Sequence, residues 1–151
     1  HQRTRGNTMT KSVLCAVDIS DGELDSPVLA KAAAIAEFEN AGLDVVTVLP
    51  DFGESWVSSF FEAGFHEKAI EEAHQKLEAL CAATLGEERN AKVRHVVATG
   101  KAYQEILHTA KEAGSDLIVI GAHKADLKDF LLGPNAARVV RHSTVSVYVI
   151  R

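Results

Sequence analysis

The sequence predicts an α/β domain, a doubly wound five-stranded parallel sheet with helices on both faces and Rossmann-like architecture. Short, nearly unbroken apolar runs such as residues 116–121 (DLIVIG) are too brief for helices and too uniformly apolar for a sheet with one wet face. Stretches with helical apolar spacing alternate with these runs, as parallel pairing through right-handed crossovers requires. At 151 residues and 46% hydrophobic, the chain can build one core of ordinary size but not two full domains, and no internal repeat divides it.

Residues 12–18 (SVLCAVD) read as a buried strand that opens into a cluster of turn formers and caps, Asp18, Ile19, Ser20, Asp21 and Gly22. Over residues 26–40, Pro27 suits a first helical position, and Ala30, Ala34, Ile35 and Phe38 recur at helical spacing. That pattern predicts a helix burying this face and stopping near Gly42. Residues 43–49 give a second strand, ended by Pro50. Residues 51–65 read as a loop carrying Trp56, Phe60, Phe61 and Phe65, for which core packing is favoured over a lid or a partner surface. Helical spacing returns over 67–85, with Ile70, Leu77, Leu80 and Cys81 on one side and Glu71, Glu72, Gln75, Lys76 and Glu78 largely on the other. Valine-rich residues 92–98 form a third strand, and Gly100 turns the chain into a helix over 103–113. Residues 116–121 are the fourth strand and 122–132 a connection. A short helix over 135–142 turns Ala136, Val139 and Val140 inward, and a final strand covers 145–150.

Composition excludes several classes of function. With 16 basic against 21 acidic residues the formal charge is -5, so no overall positive field exists to hold nucleic acid or an anionic membrane surface. No apolar run approaches the ~20 residues of a membrane-spanning helix, and no signal-peptide pattern opens the chain. A cytoplasmic protein is expected. Cys15 and Cys81 lie in apolar segments and match neither a CxxC pair nor a zinc ligand set, so they read as buried thiols. His66 and His74 share a predicted helix while His95, His108 and His142 are scattered, and no metal site is expected. Residues 1–8, with Arg3 and Arg5 ahead of Met9, are expected to be a disordered leader or tag, and the domain itself to cover 11–151.

In a doubly wound sheet, ligands bind beyond the carboxyl ends of the strands where strand order reverses. This directs attention to residues 18–20 and 121–124, after the first and fourth strands. Neither GxxxxGK[ST] nor GxGxxG is present. What remains is Gly121-Ala-His-Lys124 and, further on, Gly133-Pro-Asn-Ala-Ala-Arg138, a glycine that opens a helix whose free amides favour phosphate. Bland readings stand beside these. Asp18 suits a turn cap, Gly133-Pro134 an ordinary helix start, and His123 a loop residue.

VLCAVDIS, GKAYQEILHTAKEAGSDLIVIGAH and LLGPNAARVVRHSTVSVYVIR resemble, in order, the signature blocks of the universal stress protein family. Many members bind ATP through G-2x-G-9x-G-(S/T). The resemblance implies that Asp18 lies near the adenosine, that Val48 and Ile120 border the base, and that Gly121, His123 and Gly133 line the phosphate path with Asn135 and Ala136 at the helix start; Val17, Ser20 and Lys124 are further candidate binding residues. It also implies ATP or AMP as ligand, with Mg²⁺ on the phosphates, and a homodimer through the last strand. Two departures fall in the phosphate region. The middle glycine is missing, and Pro134 stands where the pattern has a hydroxyl, offering no amide proton either.

Three functions follow as expectations. The first is a stress-response binding or regulatory module whose adenine-nucleotide occupancy changes its shape or its choice of an unknown protein partner. The second is a nucleotide-independent interaction module, towards which Pro134 points. The third is a slow ATPase or self-phosphorylating enzyme, for which no catalytic residue stands out.

Overall fold

The computed structural model describes residues 10–50, 63–122 and 133–151. Strands β1 (Ser12–Ala16), β2 (Gly42–Leu49), β3 (Arg94–Thr99), β4 (Leu117–Gly121) and β5 (Ser146–Ile150) form one sheet in the order β3-β2-β1-β4-β5, with every neighbouring pair parallel. Helices α1 (Gly22–Glu39), α2 (Ala63–Leu85), the one-turn α3 (Glu87–Asn90), α4 (Ala102–Ala113) and α5 (Pro134–His142) connect them. The doubly wound parallel architecture expected from the sequence is therefore present.

Alternation along β1 explains the two cores. Val13, Cys15 and Val17 face α1 and α2, meeting Val28, Leu29, Ala32, Ala33 and Ala36 of α1 and Leu77, Cys81 and Leu85 of α2. Leu14 and Ala16 face the other way, with Val46, Ile118 and Ile120, towards Ile106 and Ala110 of α4 and Ala136 and Val139 of α5. Each fully buried Leu or Val contributes roughly 1.5–3 kcal/mol. On the second face, Tyr103 of α4 stacks on His142 at 5.8 Å and lies beneath the Arg138 guanidinium at 5.6 Å, which fixes α5 against α4.

Several boundaries and faces differ from expectation. The first helix begins at Gly22, not near residue 26, so Pro27 lies inside it. A 3-10 turn, Ile19–Asp21, capped by Asp18, feeds helical geometry directly into α1, so the helix starts more than one turn before the proline. The expected inward face of α1 is also rotated: Ala30 and Ala34 are exposed and Phe38 is 87% exposed. Alanines on several sides made more than one face plausible, and the neighbouring aliphatics Val28 and Leu29 select the one that reaches the sheet. Val140 is likewise exposed, because α5 lies over the sheet edge and buries only the stripe through Ala136 and Val139.

Residue 65, expected in a loop, belongs to α2, whose buried stripe otherwise follows the predicted one. Trp56, Phe60 and Phe61 lie outside the described residues. The third strand starts at Arg94 because α3 and the bond from the Val93 amide to Asn90 occupy the preceding residues. Gly114 ends α4 at φ 67, with its amide donating to Ala110 and Lys111, a left-handed cap that glycine adopts without strain.

Candidate functional site

Strand order reverses between β1 and β4, whose neighbours lie on opposite sides and whose following helices cover opposite faces. A cleft of about 620 Å³ opens there, beyond the carboxyl ends of the strands. Its β1 side is built locally. The Val17 amide donates to Val46 at 2.9 Å, extending strand pairing by one residue, and the chain then bends at Asp18. Asp18 Oδ1 accepts from both the Ser20 amide (2.9 Å) and the Ser20 hydroxyl (2.6 Å), while the Asp18 amide donates to the buried carboxylate of Asp25. Asp18 thus caps the turn, as its local sequence suggests, and also lines the cleft.

The opposite wall is the start of α5. Gly133 is its N-cap, with its own amide held by the Ala122 carbonyl at 2.8 Å, and Pro134 takes the first helical position. Among the described residues no side chain caps this end, which leaves the first-turn amides of Asn135 and Ala136 pointing outward at the positive end of the helix dipole. Gly121 and Ile120 close the floor from β4, and Val46, Thr47, Val48, Leu49 and Pro50 close it from β2. At the rim, Gly100 (φ 135) donates to the Leu49 carbonyl at 2.9 Å. A side chain there would be strained and would press on Glu105.

The structure therefore brings Val17, Asp18, Ser20, Val48, Ile120, Gly121, Gly133, Asn135 and Ala136 around one cleft. His123 and Lys124 lie outside the described residues. Sequence reasoning missed Leu24, Asp25, Lys76, Ala102 and Ile106, which also line it. Asp25 had a faint signal in its position one helical turn beyond the Asp18–Gly22 turn. Lys76 had none, since a lysine on the polar side of a helix reads as a solvated charge.

The histidines are less scattered than they read. His74 of α2 and His95 of β3 meet edge to face at 6.1 Å, His74 Nδ1 lies 3.5 Å from Glu78, and His95 Nε2 lies 2.7 Å from Asn90 Oδ1. No group of three or more His, Cys, Asp or Glu able to hold a metal ion occurs among the described residues. Cys15 and Cys81 are buried and unbridged. Burial pushes the Cys15 thiol well up, and burial followed by the Glu78 charge pushes Cys81 up to about 11, so neither offers a thiolate near neutral pH. No helix of the described residues is long and apolar enough to cross a membrane.

These features define a class: a doubly wound α/β domain with a ligand cleft at its topological switch point and an uncapped helix start as one wall. The chain belongs to the universal stress protein family, whose pattern matches residues 9–151. Universal stress protein G of Shigella flexneri is 27% identical over 146 residues, covering 95% of this chain and 100% of the relative. The solved structure of the hypothetical protein MJ0577 of Methanocaldococcus jannaschii superposes with a TM-score of 0.75 at 27% identity, over 95% of this chain and 96% of that one. A universal stress protein of Archaeoglobus fulgidus in complex with dAMP shares the fold, with a TM-score of 0.65 at 22% identity over 95% of this chain and 100% of that one.

Proposed function

We infer that the switch-point cleft binds an adenine nucleotide and that the protein acts in the stress response as a binding or regulatory module, its occupancy altering the partner it engages. The observation that carries this reading is the convergence of Asp18, Val48 and Gly121 with the uncapped Asn135 and Ala136 amides around one cleft of about 620 Å³. Such a volume lies in the range of small-molecule sites. Its β1–β2 side is mostly apolar and suits a base, while the α5 start suits a phosphate. The dAMP complex of the Archaeoglobus relative supports the same ligand class.

AMP and ATP are the candidate ligands. Magnesium would arrive on the phosphates, since the described residues hold no ligand set of their own. The reading places the protein in the cytoplasm as a homodimer paired through β5. Binding is the role proposed.

A nucleotide-independent interaction module is the competing reading, favoured by Pro134, which brings neither hydroxyl nor amide to the α5 start. A thermal shift of the purified protein with adenosine, AMP and ATP separates the two. Ligand linkage requires the melting temperature to rise with saturating nucleotide if the cleft binds it. No rise, with no heat of binding by calorimetry, would leave protein contacts as the function.

A further inference from the structure

We propose that Asp25, a buried carboxylate of α1, is the positioning residue that sets Asp18 for the ribose hydroxyls of the ligand, an inference that rests on the nucleotide reading above. Asp18 stands where the chain leaves β1, with extended backbone (φ -105, ψ 109). On one side of it, the Val17 amide is tied to the Val46 carbonyl of β2 at 2.9 Å. On the other, Ser20 holds Asp18 Oδ1 through its amide at 2.9 Å and its hydroxyl at 2.6 Å. Between these anchors lies the Asp18 amide, which donates to Asp25 Oδ2. That bond runs from the strand end to the first turn of α1, so the helix itself fixes the direction in which Asp18 leaves the sheet.

A side chain that reaches back to the amide of a capping residue is an ordinary helix-start device. This pair differs in its place, because Asp18 and Asp25 both line the cleft while Asp25 is only 8% exposed. With Oδ1 bonded to Ser20, Asp18 Oδ2 has no donor among the described residues and is the oxygen offered to a ligand. An ionised carboxylate only accepts hydrogen bonds and repels phosphate. On an adenine nucleotide the donors are the ribose hydroxyls and the exocyclic amino group. The base suits the apolar β1–β2 side, which leaves the ribose for Asp18. Fixing the acceptor before the ligand arrives removes an ordering cost from binding.

The test is calorimetric titration of the whole chain with AMP and with dideoxy-AMP, which lacks both ribose hydroxyls, for the native protein, Asp25→Ala and Asp25→Asn. Asparagine keeps an oxygen for the Asp18 amide, and alanine does not. The native protein should bind AMP about tenfold tighter than dideoxy-AMP, Asp25→Ala should remove most of that advantage by weakening AMP alone, and Asp25→Asn should restore it. Equal weakening of both ligands by Asp25→Ala would make Asp25 a structural cap only and overturn the positioning role. An AMP advantage unmoved by Asp25→Ala, or absent from the native protein, would overturn it too. Should Asp25→Ala not fold, Asp25→Ser, whose oxygen stops one bond short of Asp25 Oδ2, enters the same comparison. If neither ligand binds the native protein, the nucleotide reading falls and the positioning role falls with it.

Discussion

His95 is the single residue that links the fold most directly to pH. Its ring sits between α2 and β3, with Asn90 on Nε2, His74 edge-on at 6.1 Å and Glu78 nearby. Burial holds its pKa below the ordinary 6.5, opposed by the Glu78 charge and reinforced by His74. The unfolded chain therefore takes up this proton before the folded chain does, and stability falls as pH drops through about 6.5. Between about pH 7.5 and about pH 5.5 the melting temperature should fall, and His95→Gln, which keeps a polar partner for Asn90, should flatten that slope. A slope unchanged in the variant would assign the acid response to other groups. Nothing in the sequence joined His74 to His95, because only the docking of α2 against β3 makes them neighbours. Asp18 was the opposite case. Its cap is local, made to Ser20 two residues on, so residue type and spacing were enough to read it. Lys76 and Leu24 reach the cleft through the placement of whole helices, which no short motif encodes.

The helices show where pattern reading succeeds and where it stops. In α2, large apolar residues stand on one side and charges on the other, so Leu77 and Cys81 were correctly read as buried. In α1, alanines on every side leave the direction of burial to a few large residues, and Phe38 misled because it fits the spacing of Ala30 and Ala34. The structure turns Phe38 outward and seats Leu29 with no exposure at all. Leu29→Ala should cost about 2–5 kcal/mol, the loss of a buried side chain plus the cavity it leaves. Phe38→Ser should stay within about 0.5 kcal/mol, as an exposed substitution does. Urea denaturation of both variants checks the pair, and the reverse ranking would mean that α1 presents the face read from spacing. The strands were legible throughout because uniform apolar runs bounded by turn residues leave few alternatives. The short α3 was not, since it has no side-chain cap, has no buried residue and begins after a glycine at φ 87.

Across the whole molecule the sheet has two edges with different surroundings. The β3 edge lies against α2, whereas among the described residues β5 pairs only with β4 and exposes 42% of Tyr148. Backbone direction tells which groups of β5 remain for a partner. The Ile150 carbonyl accepts from Ala122 on the β4 side, so Ile150 and, by alternation, Tyr148 spend their backbone groups inward. Val147 and Val149 then direct their amides and carbonyls away from β4, a row with no strand partner among the described residues and of the kind that recruits another strand. Their side chains meanwhile pack into the core beneath α4 and α5, which holds the strand in place for pairing. We propose that a second copy of the same strand, run antiparallel, satisfies this row in an isologous dimer. Sedimentation equilibrium at micromolar concentration should find the dimer. Val147→Pro removes one outward amide without touching a bond to β4, a change that an edge strand tolerates, and should yield a folded monomer. A native monomer would mean that the edge stays unpaired in solution, and a Val147→Pro dimer would move the interface to another surface.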